Sequence, residues 1–174
     1  MAPVDGNRAD HVLVEWPRAA AANLRFCPIA GGDMPFLAHL YASTRMEELV
    51  VTTWSDVQKR AFLQMQFDAQ HAHYQKHYAG SDFLVIERND APVGRLYLAR
   101  WAREHRIVDV ALLPEHCGQG LGTALLLDLL DEAGRARKSV TIHVEKFNRA
   151  MRLYERLGFT KAGEEGVYDF MSRE

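Results

Sequence analysis

The sequence contains few of the features that mark several classes of protein. Its two cysteines, Cys27 and Cys117, fit neither a disulfide framework nor the spacing of a metal site. No apolar run approaches the roughly 20 residues of a membrane-spanning helix, and the first residues lack the basic start and apolar stretch of a secretion signal. A net charge of −2 gives no general attraction to nucleic acid or to an anionic membrane. We therefore expect a soluble cytoplasmic protein with no nucleic-acid or membrane partner.

The composition is that of an ordinary globular domain. Hydrophobic residues make up 48% and charged residues 25% of the 174 residues, which suits a single domain with its own core. Residues 1–22 contain Pro, Asp, Gly and an Ala-rich run, and they predict a poorly ordered N-terminal extension. Residues 23–174 are expected to form the domain.

The order of apolar segments predicts a mixed α/β sheet. A strand over 24–29 and two helices ending near residues 43 and 78 come first. Three strands with short polar links then predict an antiparallel meander; they cover 83–87, 92–101 and 106–113. The second half alternates helix and strand, at 119–133, 139–144 and 148–157, before two final short strands. The helix between the strands at 106–113 and 139–144 requires those two strands to pair in parallel.

A glycine-rich turn joins the third meander strand to the next helix. Gly118, Gly120 and Gly122 occupy alternate positions, which leaves backbone N–H groups uncovered near a helix N-terminus. Such donors, together with the positive end of the helix dipole, predict a phosphate cradle. Thr123 stands where a P-loop needs lysine and where a dinucleotide fingerprint needs its third glycine, so neither motif fits. The alternative is a turn whose glycines only permit tight packing.

The segment 148–159 predicts a capped amphipathic helix. Asn148 suits the N-cap and Gly158 the end of the helix. An apolar stripe lies between them, formed by Ala150, Met151, Tyr154 and Leu157. Core packing alone would explain the position of Tyr154.

Both segments resemble the GNAT superfamily of acyl-CoA-dependent N-acyltransferases. Its pyrophosphate loop, Gln/Arg-x-x-Gly-x-Gly/Ala, falls on residues 117–122, where Cys117 replaces the leading Gln or Arg. The second segment is similar to the family's signature of an Asn, an Ala, a Tyr and a final Gly-Phe pair. The resemblance spans roughly residues 24–171. It implies a single-domain GNAT-like fold: a mixed, mostly antiparallel sheet, a central parallel pair splayed around the cofactor, and helices on both faces.

The resemblance implies transfer of an acetyl group from acetyl-CoA to a primary amine by direct attack. The acceptor is a small molecule or a peptide, coenzyme A is the co-substrate, no metal is involved, and a homodimer is common in the family. In the family the tyrosine at position 154 protonates the departing thiolate, and Asn148 contacts the cofactor. The cofactor-binding residues carried over are Ala111, Leu112, Leu113, Cys117, Gly118, Gln119, Gly120, Leu121, Gly122, Thr123 and Asn148. With Cys117 in the leading position, Gln119 and His116 are candidates for a polar contact.

Polar residues in apolar or helical patterns supply the acid–base and acceptor candidates. Asp109 interrupts an apolar strand, where a carboxylate is either catalytic or paired. His143 and Glu145 share one face at the end of the parallel strand, near the expected acceptor cleft. Asp68 and His71 lie on a polar stripe of the long helix, which in the family covers the acceptor pocket. A solvated helix face and a hydrogen-bonded histidine are the ordinary alternatives.

The long helix also carries a pair of histidines, His73 and His77, four residues apart. No third ligand accompanies them, so we expect no zinc site there.

Two other functions remain open at the level of sequence. One is a non-catalytic acyl-CoA sensor that keeps the fold without turnover. The other is a domain that cradles the phosphates of a different nucleotide.

Overall fold

The computed structural model describes residues 16–174 and forms one seven-stranded sheet with five helices in this part of the chain. The strand order is β1-β2-β3-β4-β5-β7-β6. In chain order the elements are α1 Pro17–Ala21, β1 Leu24–Pro28, α2 Met34–Arg45, α3 Asp56–His77, β2 Asp82–Arg88, β3 Ala91–Arg100, β4 Glu104–Leu112, α4 Leu121–Arg135, β5 Ser139–Glu145, α5 Met151–Arg156, β6 Thr160–Glu165 and β7 Tyr168–Arg173.

The strand pairing confirms the predicted fold class. β2, β3 and β4 form the antiparallel meander, and β4 pairs with β5 in parallel. A parallel pair needs a crossover connection, which α4 provides. The chain is therefore a single α/β domain whose mixed sheet contains one parallel pair.

The two central strands separate toward their carboxyl ends. Their pairing ends at Ile107 and Ile142, although β4 continues to Leu112 and β5 to Glu145. A register shift against β3 leaves Val108 as an extra residue in β4 just beyond this point. A bulge bends its strand away from the neighbour, so an open wedge forms between β4 and β5.

The helices cover both faces of the sheet. Helices α1, α4 and α5 pack on one face with the larger hydrophobic core, which contains Leu84 and Ile86 of β2. Helices α2 and α3 cover the opposite face, where Val85 packs against Leu37 and Phe67. Because side chains alternate along a strand, neighbouring residues of β2 serve the two cores.

The predicted N-terminal extension is wrong for its last seven residues. Residues 1–15 lie outside the described residues. Residues 16–22 form α1 and its flanks, and α1 packs against α4 and β1. The domain therefore begins at or before residue 16, not at residue 23.

Tertiary contacts explain why α1 forms from a short Ala-rich sequence. Pro17 opens the helix, where its missing N–H costs nothing. The Trp16 indole N–H donates to Glu132 Oε2 at 2.7 Å, and the backbone N–H of Ala19 donates to Asp128 Oδ2 at 2.8 Å. Trp16 and Ala19 are both buried. Five residues are too few for an isolated helix, so these contacts stabilise it.

Local sequence accounts for the starts of α2 and α3. Ser55 caps α3, since its Oγ accepts from the Gln58 N–H while Gln58 Oε1 accepts from the Ser55 N–H. Helix α2 starts at Met34, directly after a 3₁₀ turn over Gly31–Asp33. No helix in the described range has both the length and the apolar content needed to cross a bilayer.

Candidate active site

The glycine-rich turn forms an open backbone cradle at the start of α4. Gly118 and Gly120 have φ of 72° and 80°, a conformation that side chains other than glycine rarely adopt. A Cβ on either glycine would meet nothing within 4 Å, so the space above both residues is open. Gly122 differs, because a Cβ there would lie 3.6 Å from Leu153 of α5. The first two glycines shape the cradle, whereas a Cβ at the third would only make an ordinary van der Waals contact with α5.

The donors in this cradle belong to the first turn of α4. The first helical hydrogen bond runs from the Ala124 N–H to the Gly120 carbonyl at 2.9 Å. The N–H groups of the three preceding residues, 121–123, therefore have no partner within the helix. Their donors coincide with the positive end of the dipole of a 15-residue helix, so the arrangement suits an anion such as a pyrophosphate.

Side chains around the loop brace it from outside. The Cys117 thiol is exposed, with Sγ 3.5 Å from the Leu113 carbonyl oxygen. Gln119 donates from Nε2 to the Glu115 carbonyl at 2.7 Å and accepts from Arg88 Nη1 at 2.7 Å. Gln119 therefore fixes the loop and holds a guanidinium beside it. His116, the other candidate, has a buried Nδ1 without a hydrogen-bond partner.

The carboxyl end of β4 lies along the wedge. The Leu113 N–H donates to the Val93 carbonyl at 2.8 Å, so this predicted cofactor donor is already used within the sheet. Successive N–H groups of a strand point to opposite edges, so the Leu112 N–H points toward β5. Glycine at position 94 lets β3 lie close to the end of β4, because a Cβ there would lie 2.4 Å from the Ala111 carbonyl oxygen.

Tyr154 lies in the core between α5 and the sheet. It is 4% exposed, and its ring packs edge-on against Phe159 at 5.5 Å between centroids. Burial raises the pKa of the Tyr154 phenol, and the charge of Asp109 raises it further. The phenol is therefore protonated at neutral pH, as a general acid must be. Asn148, three residues before α5, accepts from the Ala150 N–H at 2.8 Å and fixes the turn into that helix.

Asp109 is one member of a buried polar cluster. Arg95, only 4% exposed, donates to Asp109 Oδ2 at 2.8 Å and to Oδ1 at 3.4 Å. The Tyr74 hydroxyl donates to Asp109 Oδ2 at 3.2 Å, and Gln70 Oε1 accepts from Arg95 at 2.9 Å. This geometry favours the paired interpretation of Asp109, because both carboxylate oxygens are already engaged.

The cluster also perturbs the surrounding phenols. Burial raises the pKa of Tyr74, and the adjacent Asp109 charge adds to that shift. Burial raises the pKa of Tyr97 to about 12, although the guanidinium of Arg95 acts in the opposite direction. Both phenols are therefore neutral at physiological pH.

His143 and Glu145 lie on the α2–α3 face of β5, as their spacing predicted. Arg106 Nη1 lies 3.4 Å from His143 Nδ1, and the imidazole stacks near Phe170 with centroids 5.0 Å apart. Burial, followed by the charge of Arg106, lowers the pKa of His143. Glu145 accepts from Arg45 Nη2 at 3.0 Å, which ties the end of α2 to the end of β5.

Asp68 and His71 line a separate hollow between α2 and α3. Its volume is about 440 Å³, and its remaining lining residues are Met34, Pro35, Ala38, Gln64, Phe67 and Ala72. Asp68 accepts from Gln64, and His71 stacks on Phe67 at 5.7 Å. The structure records no contact of either residue with His143 or Glu145.

Sequence reasoning missed Arg95 and Tyr74, which carry the polar cluster, and Arg88 beside the loop. A signal existed for Arg95: it interrupts the apolar run of β3, as Asp109 interrupts that of β4, and these strands were predicted to pair. No comparable signal marks Tyr74 or Arg88. Among residues 16–174, no three His, Cys, Asp or Glu side chains come together in a group that could hold a metal ion.

Comparison with known proteins agrees with the geometry. A family model described as an acetyltransferase (GNAT) domain matches residues 79–161, which contain both motifs. No curated protein matches the chain significantly.

Several solved structures share the fold at low sequence identity. The PaiA N-acetyltransferase of Thermoplasma acidophilum, in complex with coenzyme A, has a TM-score of 0.64 at 14% identity, over 87% of this chain and 98% of its own. An acetyltransferase from Thermus thermophilus has a TM-score of 0.61 at 16% identity, over 87% and 96%. YncA, a putative acetyltransferase from Salmonella typhimurium with acetyl-CoA, has a TM-score of 0.54 at 24% identity, over 87% and 94%. The family model over residues 79–161, the two motifs and the shared fold support an assignment to the GNAT superfamily.

Proposed function

We propose that this protein transfers an acetyl group from acetyl-CoA to a primary amine of a small-molecule or peptide acceptor. The single observation that carries the proposal is the open backbone cradle at the start of α4, the helix that follows β4 in the chain after β4 has separated from β5. Leu153 of α5, next to Tyr154 in sequence, lies close to Gly122 of α4. Two of the similar structures, those of PaiA and YncA, contain coenzyme A or acetyl-CoA.

The donor side of the reaction uses the wedge and the cradle. The loop N–H groups hold the pyrophosphate of acetyl-CoA, and the pantetheine arm extends along the open edge of β4. The Leu112 N–H, which points into the wedge, polarises the thioester carbonyl in the manner of an oxyanion hole. Tyr154, whose pKa is raised by burial, donates its proton to the sulfur as the thiolate leaves.

The acceptor side lies on the α2–α3 face of the wedge. His143 and Glu145 line that face from β5. The lowered pKa of His143 keeps its imidazole neutral at pH 7, so it can take the amine proton directly or through water. Asp109 is engaged by Arg95 and Tyr74, and in this scheme it positions those groups and is not the base.

The test is an acetyl-CoA turnover assay with a panel of amines. The panel contains polyamines, amino acids, aminoglycosides and peptides with free N-termini or lysines, and released thiol is measured together with mass spectrometry of the acceptor. We expect thiol release matched by a gain of one acetyl group on an amine nitrogen. Tight coenzyme A binding with no turnover on any class of amine would instead favour a non-catalytic acyl-CoA sensor.

A further inference from the structure

Arg88 lies beside the phosphate loop although it is 31 residues away in sequence. It is the last residue of β2, and Asn89 and Asp90 turn the chain into β3 with φ of 51° and 65°. The strand order places this hairpin next to the carboxyl end of β4, where the loop begins. Arg88 Nη1 donates to Gln119 Oε1 at 2.7 Å, so the guanidinium is held against the loop.

The charge of Arg88 is not neutralised by neighbouring acids. The two nearest carboxylates in the chain, Glu87 and Asp90, form ion pairs with Arg25 at 3.0 and 2.7 Å. Within residues 16–174 no carboxylate lies within ion-pair distance of Arg88. Its Nε is buried and has no hydrogen-bond partner among the described residues. A guanidinium with one orphaned donor, held at an anion cradle, is suited to bind an anion there.

The glycine-rich loop carries no charged side chain of its own at its leading position. In the resembling family the leading loop position carries Gln or Arg, and here Cys117 occupies it. The thiol of Cys117 lies near the carbonyl oxygen of Leu113 and offers no strong donor to a phosphate.

We propose that Arg88, reaching across from the β2–β3 hairpin, binds the pyrophosphate of coenzyme A in place of the missing loop side chain. Gln119 is the positioning residue, because it fixes the guanidinium from between Gly118 and Gly120. Because Gln119 belongs to the loop that forms the cradle, we assign Arg88 to the pyrophosphate and not to the 3′-phosphate. This inference rests on the coenzyme A binding of the proposed function.

The test compares binding of three ligands by isothermal titration calorimetry. Coenzyme A carries both phosphate groups, dephospho-coenzyme A carries only the pyrophosphate, and pantetheine carries neither. Arg88→Gln should weaken binding of the first two ligands equally, by about 10- to 100-fold, and leave pantetheine unchanged. Arg103→Gln is the matched control, because Arg103 is exposed in the β3–β4 turn at the opposite end of β3. It should bind all three ligands like the wild type.

The outcomes separate this inference from the proposed function. A wild type that does not bind coenzyme A overturns the proposed function and this inference together. A wild type that binds while Arg88→Gln binds equally well overturns this inference alone. If Arg88→Gln weakens binding of coenzyme A but not of dephospho-coenzyme A, Arg88 contacts the 3′-phosphate and the pyrophosphate assignment is overturned.

A second variant guards against a folding artefact. Cys117→Arg places an arginine at the leading position of the loop. The double variant Cys117→Arg, Arg88→Gln should therefore recover most of the coenzyme A affinity that Arg88→Gln alone loses. No recovery in a double variant with wild-type Tm would contradict the replacement of one side chain by the other.

Discussion

The two faces of the sheet carry candidate sites that are built from different parts of the chain. On the α4 face the cradle is made of backbone: two glycines with positive φ and the first N–H groups of a helix. On the α2–α3 face the polar groups are side chains from several elements, among them Tyr74, Arg95 and His143. A cradle of backbone N–H groups can bind a phosphate whatever side chains the loop carries. The specificity of a site lined by side chains depends instead on which residues line it. The fold therefore predicts the class of acyl donor, but it does not predict the amine acceptor.

The largest expected effect concerns the buried phenol of Tyr154 on the α4 face. Tyr154→Phe removes only the phenol oxygen, so it should lower turnover by about 100-fold or more while changing acetyl-CoA affinity less than about twofold. Steady-state kinetics and calorimetry on the same preparation measure both quantities. Turnover equal to that of the wild type would leave Tyr154 as a packing residue.

Next in size is the charged cluster on the α2–α3 face. Asp109→Asn leaves the buried guanidinium of Arg95 without its counter-ion and should lower the free energy of unfolding by about 3–5 kcal/mol. The control, Glu145→Gln, breaks the partly exposed pair with Arg45 and should cost less than about 1 kcal/mol. Urea denaturation gives both values. An Asp109→Asn variant with normal stability and no turnover would restore the catalytic interpretation of Asp109.

A smaller effect is expected in the backbone cradle. Gly120→Val introduces a side chain where φ is 80° and where the phosphate is expected, so coenzyme A affinity should fall by about tenfold or more. Gly80→Val is the matched control: its φ is 82° and a Cβ there also meets nothing within 4 Å, but it follows α3 and lies outside the loop. Both variants should lose similar stability, and only the first should lose affinity. Equal affinity losses would show that backbone strain, and not the cradle, is responsible.

The smallest effect depends on pH and concerns the anchoring of α4. Burial disfavours the Glu132 carboxylate, but hydrogen bonds from His105, Arg100 and Trp16 outweigh it and hold the pKa of Glu132 well below its ordinary value of 4.5. A lowered folded-state pKa stabilises the protein above that ordinary value, and the stabilisation is lost as the pH falls further.

The corresponding variant is Glu132→Gln. It should be less stable than the wild type at pH 7, and the difference in unfolding free energy should shrink below about pH 4.5. Thermal unfolding of both proteins across this pH range measures the difference. A gap that stays constant with pH would contradict the role of the carboxylate charge.

The difference between the faces also explains what the sequence could predict. The loop and the α5 segment are local patterns, so their glycines, cap and apolar stripe are enough to predict the donor side from the sequence alone. The partners of Asp109 are Tyr74 of α3 and Arg95 of β3, which lie 35 and 14 residues away in sequence. No local sequence pattern indicates that they contact Asp109. The register that brings Arg95 to Asp109 depends on the bulge at Val108, which periodicity does not reveal.

The N-terminal helix was missed for a similar physical reason. Its own sequence has little helix-forming length, and its stability comes from Asp128 and Glu132, more than 100 residues later. The wedge, by contrast, follows from the predicted parallel pair once the bulge is known.

The most direct test of the central claim is a competition experiment at the cradle. Bound acetyl-CoA is challenged with ATP and with NAD, and the dissociation constants of all three are measured. The backbone cradle together with the β4–β5 wedge predicts that acetyl-CoA binds most tightly and that neither nucleotide displaces it at comparable concentration. A preference for ATP or NAD would contradict the assignment of this site to coenzyme A.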